Sequence, residues 1–283
     1  MIKFGPSGAG ELFEKEGYSK MIDVPSWLKN KGLDLFEYSF GRGVRIGETT
    51  ARAYGEEFKK NGIEISVHAP YFINMATEDE GKAKNNHEYI IGSINALKWF
   101  CGERVVFHPG SPLKLHRRDA MNILLKRMDT LLEELYALGH NDVKLAVETM
   151  GKLAQLGDED EIIEIVSRDK MLYPCIDFGH LNSRSVGNMN SYDDFMRILD
   201  KYITNLGYEK VDNMHVHFSK IEYTQKGEVR HLTFADNMYG PNFEPLAKAL
   251  IDCNLHPYIV CESAGTQTED SIFMKNYYNS LSK

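Results

Sequence analysis

Val105-Val106-Phe107-His108 is an apolar, strand-like run that ends in a side chain able to bind a metal ion. The same pattern recurs along the chain, in Ile63–Val67 before His68, Leu145–Val147 before Glu148, Pro174–Ile176 before Asp177, Met214–Val216 before His217 and Tyr258–Cys261 before Glu262. Groups this far apart in sequence can meet if parallel strands present their carboxyl ends to one pocket. The pattern therefore predicts a barrel of parallel strands with a metal site at one end.

Strand-like and helix-like segments alternate through the chain. The predicted strands are Ile2–Phe4, Leu33–Tyr38, Ile63–Val67, Arg104–Phe107, Val143–Val147, Leu172–Ile176, Asn213–Phe218 and Pro257–Cys261. Amphipathic helices are predicted at Thr49–Asn61, Asn86–Phe100, Ala120–Leu138, Glu159–Ser167, Tyr192–Leu199 and Phe243–Asp252. Such alternation is typical of parallel βαβ units, and a barrel of eight needs about 250 residues. We therefore expect residues 1–283 to form one α/β domain, a (β/α)8 TIM barrel.

The polar stretch Ser219–Asn242 is the longest departure from this alternation, and it contains Gly227 and Gly240. Long irregular segments inside a compact domain are often functional. We expect an active-site loop here, after the seventh strand. His231 lies within this loop, where a histidine is ordinarily exposed to solvent.

The composition, 42% hydrophobic and 26% charged residues, is typical of a soluble globular protein. The sequence has no apolar stretch long enough to span a membrane, and Met1–Pro6 lacks the pattern of a secretory signal. The four cysteines have no CxxC spacing and favour reduced thiols, so we expect a cytoplasmic protein without a membrane partner. The net charge of −8 argues against nucleic acid, although a bound metal cluster adds positive charge that the residue count omits.

The residues at the strand ends combine histidines with carboxylates, which is the ligand mixture of zinc, manganese and iron sites. Buried carboxylates aimed at one barrel mouth would repel one another without a cation. His215 and His217 alternate on one strand and share a face, so either could bind the metal while the other supports it. Asp177-Phe178-Gly179-His180 adds a further histidine just beyond the sixth strand.

These segments resemble endonuclease IV, the metal-dependent apurinic/apyrimidinic (AP) endonucleases of AP endonuclease family 2, which have a xylose-isomerase-like TIM barrel. The matches follow the family's order: Val67-His68-Ala69-Pro70-Tyr71, Phe107-His108-Pro109-Gly110-Ser111, Ala146-Val147-Glu148-Thr149, Cys175-Ile176-Asp177-Phe178-Gly179-His180, Val216-His217-Phe218 and Val260-Cys261-Glu262. The second and fourth segments are the most specific, because the others are ordinary barrel strands that each end in one ligand.

The resemblance implies a trinuclear zinc site with about two or three ions per chain, where manganese or iron could replace zinc. Glu148 would bridge two metals, while Asp177 and Glu262 would hold the metal that receives the phosphate oxygens. These three carboxylates are therefore the implied catalytic residues. The full set of implied ligands is His68, His108, Glu148, Asp177, His180, His217, His231 and Glu262.

The implied third metal site departs from the family pattern. In the family, an aspartate two residues before the last histidine also binds this metal, whereas this chain has Val229 at that position. Glu228 and Asp236 are close in sequence but out of register. We therefore expect this site to be weak, empty or completed by another carboxylate of the loop.

Four residues are candidates for contact with DNA. Family members wedge an aromatic and an aliphatic side chain into the duplex after the first histidine, where this chain has Tyr71 and Phe72, followed by Asn74. Arg42, in the loop after the second strand, is a candidate phosphate contact. The implied partner is abasic or damaged duplex DNA, bound by a monomer. Tyr71 and Phe72 would equally suit a role in lining the barrel mouth.

The sequence leaves three hypotheses of function. The first is an endodeoxyribonuclease of base excision repair that hydrolyses the phosphodiester 5′ to abasic sites. The second is a sugar isomerase or epimerase that binds one divalent metal and leaves the other histidines without a role, its ligands being Glu148, Asp177, His217 and Glu262. The third is a non-catalytic barrel that binds a metal or ligand. The additional histidines favour the nuclease, whereas the acidic net charge and Val229 favour the sugar enzyme.

Overall fold

The computed structural model describes residues 1–281. Its strands, β1 to β10 in chain order, are Lys3–Pro6, Leu35–Ser39, Glu64–His68, Arg104–Phe107, Lys144–Glu148, Leu172–Asp177, His215–Phe218, Ile221–Thr224, Gly227–His231 and Tyr258–Cys261. Its α-helices, α1 to α11, are Gly10–Lys15, Val24–Asn30, Glu48–Asn61, Glu80–Trp99, Arg117–Ala137, Glu159–Val166, Phe178–Arg184, Tyr192–Leu206, Tyr208–Asp212, Phe243–Asp252 and Gln267–Leu281. Within this described range, no helix is long and apolar enough to cross a membrane.

Eight parallel strands form one sheet in the order β1-β10-β7-β6-β5-β4-β3-β2. The seam between β1 and β2 is closed by backbone hydrogen bonds, from Asp34 N to Phe4 O at 3.0 Å and from Gly8 N to Glu37 O at 3.0 Å. The predicted (β/α)8 barrel is therefore confirmed. All the strands of this barrel present their carboxyl ends to one mouth, as the sequence pattern required.

The predicted strand boundaries are close to those observed, and β4 matches in full. Several strands run one residue further than predicted, so that His68, Glu148 and Asp177 are the last residues of their strands. Helix α7 was missed because it is short and begins directly after β6. The Asp177 side chain caps this helix by accepting a hydrogen bond from the backbone N–H of His180 at 2.6 Å.

The prediction of an irregular loop over Ser219–Asn242 is wrong in its first half. That half folds into an antiparallel hairpin of β8 and β9, which lies apart from the barrel sheet. Gly227, at φ +92°, begins β9 and lies so close to the backbone of Gly151 that a side chain would not fit. The hairpin is thereby held against the loop that follows β5.

Two sets of buried side chains alternate along the barrel strands. One set, including Val105, Leu145 and Ile176, belongs to the large apolar core that also contains the helix side chains. The other set faces the inside of the barrel, where Val106, Ala146 and Cys175 form a small separate cluster. These compact side chains leave room inside the barrel for buried polar groups, among them Glu37, Ser66, His215 and His217.

The seam at β1 gives a test of barrel closure. A Cβ added to Gly5 would lie 1.7 Å from the carbonyl oxygen of Leu35, which belongs to the backbone of β2. Gly5→Ala should therefore lower the free energy of unfolding by about 3 kcal/mol, measured by urea denaturation. Gly47→Ala is the matched control, since nothing lies within 4 Å of its added Cβ. Equal stability of the two variants would show that the seam is not tightly packed.

Candidate metal centre

The carboxylate of Glu148, at the end of β5, is buried and faces four histidines. Its Oε2 lies 3.0 Å from Nε2 of His68 and 3.0 Å from Nε2 of His108. Its Oε1 lies 3.2 Å from Nδ1 of His180 and 3.3 Å from Nδ1 of His217. The structure thus brings together residues from four barrel strands and helix α7 around one carboxylate. We call His68, His108 and Glu148 the first group.

A second group shares Glu148 and adds Asp177, His217 and Glu262, with one ligand atom of each lying within 4.8 Å of the others. Nδ1 of His217 is 3.5 Å from Oε2 of Glu262. Asp177 uses Oδ1 to cap helix α7, and its buried Oδ2 has no hydrogen-bond partner among residues 1–281. A buried oxygen without a partner is unfavourable, so Asp177 is suited to binding a cation.

A third group consists of His180, Glu228 and His231, again with ligand atoms within 4.8 Å of one another. Oε2 of Glu228 is 3.5 Å from Nε2 of His180, and its Oε1 is 4.0 Å from Nε2 of His231. The other ring nitrogen of each histidine has its own hydrogen-bond contact. Nδ1 of His180 lies 2.8 Å from Thr149 O, and Nδ1 of His231 lies 2.8 Å from Ser219 Oγ. Such contacts fix ring orientation at metal sites.

Glu228 thus joins this group although it stands out of register with the family aspartate, and a β-bulge explains why. In the hairpin, Glu222 pairs with Arg230 and Tyr223 pairs with Glu228, so Val229 is an extra residue without a partner. An inserted residue reverses the alternation of faces along the strand. Glu228 consequently faces the third group although it stands three residues before His231, and Val229 is 46% exposed.

Glu37 on β2 is the buried residue that the sequence interpretation missed. Its Oε1 is 3.0 Å from Nε2 of His217, and its Oε2 is 3.1 Å from Nε2 of His215. These contacts are close but lack hydrogen-bond alignment, whereas Ser66 Oγ donates a hydrogen bond to Oε2 at 2.9 Å. Glu37 lies behind His217, whose Nδ1 faces the second group. A glutamate in the middle of the apolar run Leu35–Ser39 was the available signal.

The pKa values show how the buried charges are balanced. Burial opposes ionisation of Glu148, but His108 and His217 outweigh it and hold the pKa of Glu148 well below its usual range. Burial also opposes charge on His68, yet its hydrogen bond to Glu148 raises its pKa to about 9. Burial lowers the pKa of His215 to about 4, despite Glu37. A protonated His68 therefore lies beside the carboxylate that a metal cation would otherwise neutralise, and metal binding there would release its proton.

The candidate DNA contacts lie on the rim of this mouth. Tyr71 and Phe72 are 60% and 42% exposed, with their rings 5.7 Å apart. Tyr71 also lines a cavity of about 280 Å³ together with His68, His108, Glu148, His180, Glu228, His231 and Glu262. Arg42 is exposed and forms no ion pair within residues 1–281. Asn74 is different, because its amide bonds to the backbone of Ala76 and Ser111 and joins two loops.

A larger cavity, of about 480 Å³, lies at the opposite end of the barrel, beside Arg104 and Tyr258. None of the histidines lines it. The smaller cavity at the mouth is therefore the one that contains the candidate chemistry.

Residues 25–277 match the family model described as the xylose isomerase-like TIM barrel. The chain belongs to this family. A similar protein is an uncharacterised protein of Methanocaldococcus jannaschii, 36% identical over 279 residues, which cover 98% of this chain and 97% of that protein. Another family relative is a "probable endonuclease 4" of Mycoplasmopsis synoviae, 29% identical over 268 residues, covering 89% of this chain and 88% of the relative. With the "probable endonuclease 4" of Malacoplasma penetrans, the match is 31% identical and spans 56% of this chain and 54% of the relative.

Solved structures are also similar to this chain. A D-tagatose 3-epimerase-like protein has a TM-score of 0.68 at 22% identity, covering 88% of this chain and 89% of its own. Endonuclease IV from Thermus thermophilus has a TM-score of 0.67 at 19% identity, covering 92% of this chain and 94% of its own. At these identities the likeness concerns the fold alone, and it extends to proteins named for sugar and for DNA chemistry.

Glu37 gives a test of how the family barrel supports its candidate metal residues. Glu37→Gln keeps the shape of the side chain but removes its charge from behind His217. We expect zinc affinity, measured by competition with a chromophoric chelator, to fall about 10- to 100-fold. Glu64→Gln on β3 is the control, because Glu64 contacts Lys3 and Tyr258 away from the mouth. A change in melting temperature with unchanged zinc affinity would assign Glu37 a purely structural role.

Proposed function

We propose that this protein is a metal-dependent endodeoxyribonuclease that hydrolyses the phosphodiester 5′ to abasic sites in DNA, as part of base excision repair. The observation that carries the proposal is the convergence of three groups of ligand residues on one mouth. The second group alone would serve a sugar enzyme with one metal. The first and third groups add His68, His108, His180 and His231, for which a multi-metal phosphodiesterase has a use. The relatives named "probable endonuclease 4" support the same activity.

The donor set fits zinc. Each group combines imidazole nitrogens with carboxylate oxygens, and the first and second groups share Glu148. We assign His68 and His108 to one ion, Asp177, His217 and Glu262 to another, and His180 and His231 to the last. Manganese or iron would suit the same donors. Bound zinc would supply Lewis acidity and a water of lowered pKa for phosphodiester hydrolysis.

The catalytic carboxylates are Glu148, Asp177 and Glu262. Oε2 of Glu148 faces the first group and Oε1 faces His217 of the second, so this carboxylate would help to hold an ion in each group. Asp177 and Glu262 hold the position beside which the scissile phosphate would lie, and Glu262 is the more accessible of the two. Hydrolysis there would leave a 3′-hydroxyl and a 5′-deoxyribose phosphate.

The rim residues are proposed to bind the duplex. Tyr71 and Phe72 are exposed aromatic side chains beside the cavity, as wedges that unstack a base step need to be. Arg42 would contact a phosphate. Asn74 supports these contacts by joining the loop that carries Tyr71 to the backbone of Ser111. We propose that the barrel binds DNA as a monomer.

The alternative is a sugar isomerase or epimerase. It is favoured by the likeness of fold to a D-tagatose 3-epimerase-like protein and by the four residues of the second group, which can hold a single divalent ion. In such an enzyme, paired carboxylates would also move a proton. His68 and His108 of the first group, and the histidines of the third group, would then have no role in the reaction.

Nicking of a duplex that carries one abasic analogue tests the proposal. Zinc-loaded protein should cut 5′ to the lesion, and Glu148→Gln should lower the rate more than about a hundredfold, because the shared carboxylate loses its charge. Glu222→Gln is the control, since Glu222 lies on β8 and pairs with Arg230. Turnover of ketoses without any nicking by the zinc-loaded protein would instead support the sugar enzyme.

The third group makes a separate prediction about metal content. Glu228→Gln should reduce the zinc content by about one ion per chain, measured by plasma mass spectrometry after dialysis, because the group then keeps no carboxylate and only two histidine ligands. Glu222→Gln again serves as the control on the same hairpin. An unchanged zinc content in Glu228→Gln would remove Glu228 from the ligand set.

A further inference from the structure

A separate cavity, of about 340 Å³, lies next to the third group, between helix α7, the hairpin and the segment 237–242. It is lined by Asn182, Gly187, Asn190, Lys220, Tyr223, Asn237, Met238, Tyr239, Gly240 and Asn242. Four of these are asparagines, two are tyrosines, and none is a carboxylate. We call this cavity the amide pocket. Its volume lies at the lower end of the roughly 300–1,000 Å³ found for ligand pockets, which suits a ligand about the size of one ring.

Asn182 is the most informative residue of the amide pocket. Its side chain is 1% exposed, and neither Nδ2 nor Oδ1 has a hydrogen-bond partner within residues 1–281. Buried amides in folded proteins nearly always have hydrogen-bond partners, so we expect these two atoms to bind a group that the protein itself does not provide. An asparagine amide offers a donor and an acceptor side by side. The complementary ligand carries an acceptor and a donor in the same arrangement.

The walls of the amide pocket are held in place by the protein itself. Asn242 N donates to Asn190 Oδ1 at 2.6 Å, and Ile221 N donates to Gly240 O at 3.0 Å. A Cβ on Gly240 would lie 3.4 Å from Nδ2 of Asn182, so the backbone passes close over this amide. These contacts fix the segment 237–242 against α7 and β8. The pocket is therefore formed before any ligand arrives, which lowers the entropy lost on binding.

Lys220 gives the amide pocket its only formal charge. Its ammonium donates to Phe234 O at 3.1 Å and to Asp236 O, and it forms no ion pair with a described residue. Because no carboxylate lines the pocket, a cationic ligand is disfavoured. A ligand rich in oxygen or ring-nitrogen acceptors is favoured instead.

We propose that the amide pocket binds a small uncharged ring that presents a hydrogen-bond donor and an acceptor side by side, as a nucleobase edge or two neighbouring sugar hydroxyls do. The pocket adjoins the candidate metal residues: Asn182 follows His180 by two positions, and Lys220 follows Ser219, whose hydroxyl contacts His231. Its occupant would be the part of a substrate that extends beyond the reacting bond. This inference goes beyond the proposed nuclease activity, because it holds for either reaction at the metal groups.

The test is a binding titration of zinc-loaded protein with two sets of probes, deoxynucleosides and monosaccharides, followed by saturation-transfer NMR up to about 10 mM. One set should bind, and Asn182→Leu should weaken that binding at least about tenfold. Asn237→Ala, on the exposed rim, should weaken it as well without disturbing the buried wall. Asn188→Leu, in the exposed turn after α7, is the matched control. Melting temperature and zinc content establish that each variant is folded.

Each outcome decides the proposal. Binding of a deoxynucleoside that both pocket variants weaken supports a base-binding pocket, and the same result with a monosaccharide supports a sugar-binding pocket. Binding of neither set, or binding that Asn182→Leu and Asn237→Ala leave unchanged, overturns it. Nicking of abasic DNA is measured separately. A protein that nicks DNA but binds neither probe would refute the amide pocket and leave the proposed nuclease intact.

Discussion

The buried Glu148 carboxylate, with four imidazoles around it, is the interaction on which the rest of the mouth depends. A lone ionised carboxylate at this depth would be strongly unfavourable, and it is tolerated because positive charge surrounds it. Despite burial, Glu148 raises the pKa of His68 to about 9, so a proton on this imidazole can supply such charge. A metal ion bound at the same place would release that proton. The strand ends are therefore arranged so that positive charge balances the buried Glu148 carboxylate.

That balance requires an unusual barrel interior. The side chains that face inward on β4, β5 and β6 are compact, and they leave room for Glu37 to reach His215 and His217 from below. Apolar stability comes from the other face of the strands, where the large core packs against the helices. Separating the two faces lets the interior carry charged groups while the barrel stays folded, as is typical when active sites lie at the carboxyl ends of strands.

The fold and most ligand candidates could be predicted from sequence because both follow from periodicity. Apolar runs that end in His68, Glu148 or Asp177 identify both a strand and the end of that strand that lies at the barrel mouth. Glu37 could not be found that way, since it stands in the middle of a strand and its role depends on a partner on β7. Glu228 was named but could not be assigned, for a different reason: a bulge changes which face a residue occupies, and no local sequence rule reports an unpaired Val229. In both cases the role of the residue depends on how its strand is placed against other strands, which the local sequence does not show.

The hairpin of β8 and β9 distinguishes the two functions weighed for this barrel. The second group is built by barrel strands alone, and a one-metal enzyme would need nothing more. The hairpin adds Glu228 and His231 to His180, and Tyr223 on its other strand lines the amide pocket. The hairpin thus contributes to both an additional candidate metal group and a neighbouring pocket. Because these two features share a hairpin, a change in its register would alter metal content and ligand choice together, while the barrel beneath it stayed the same.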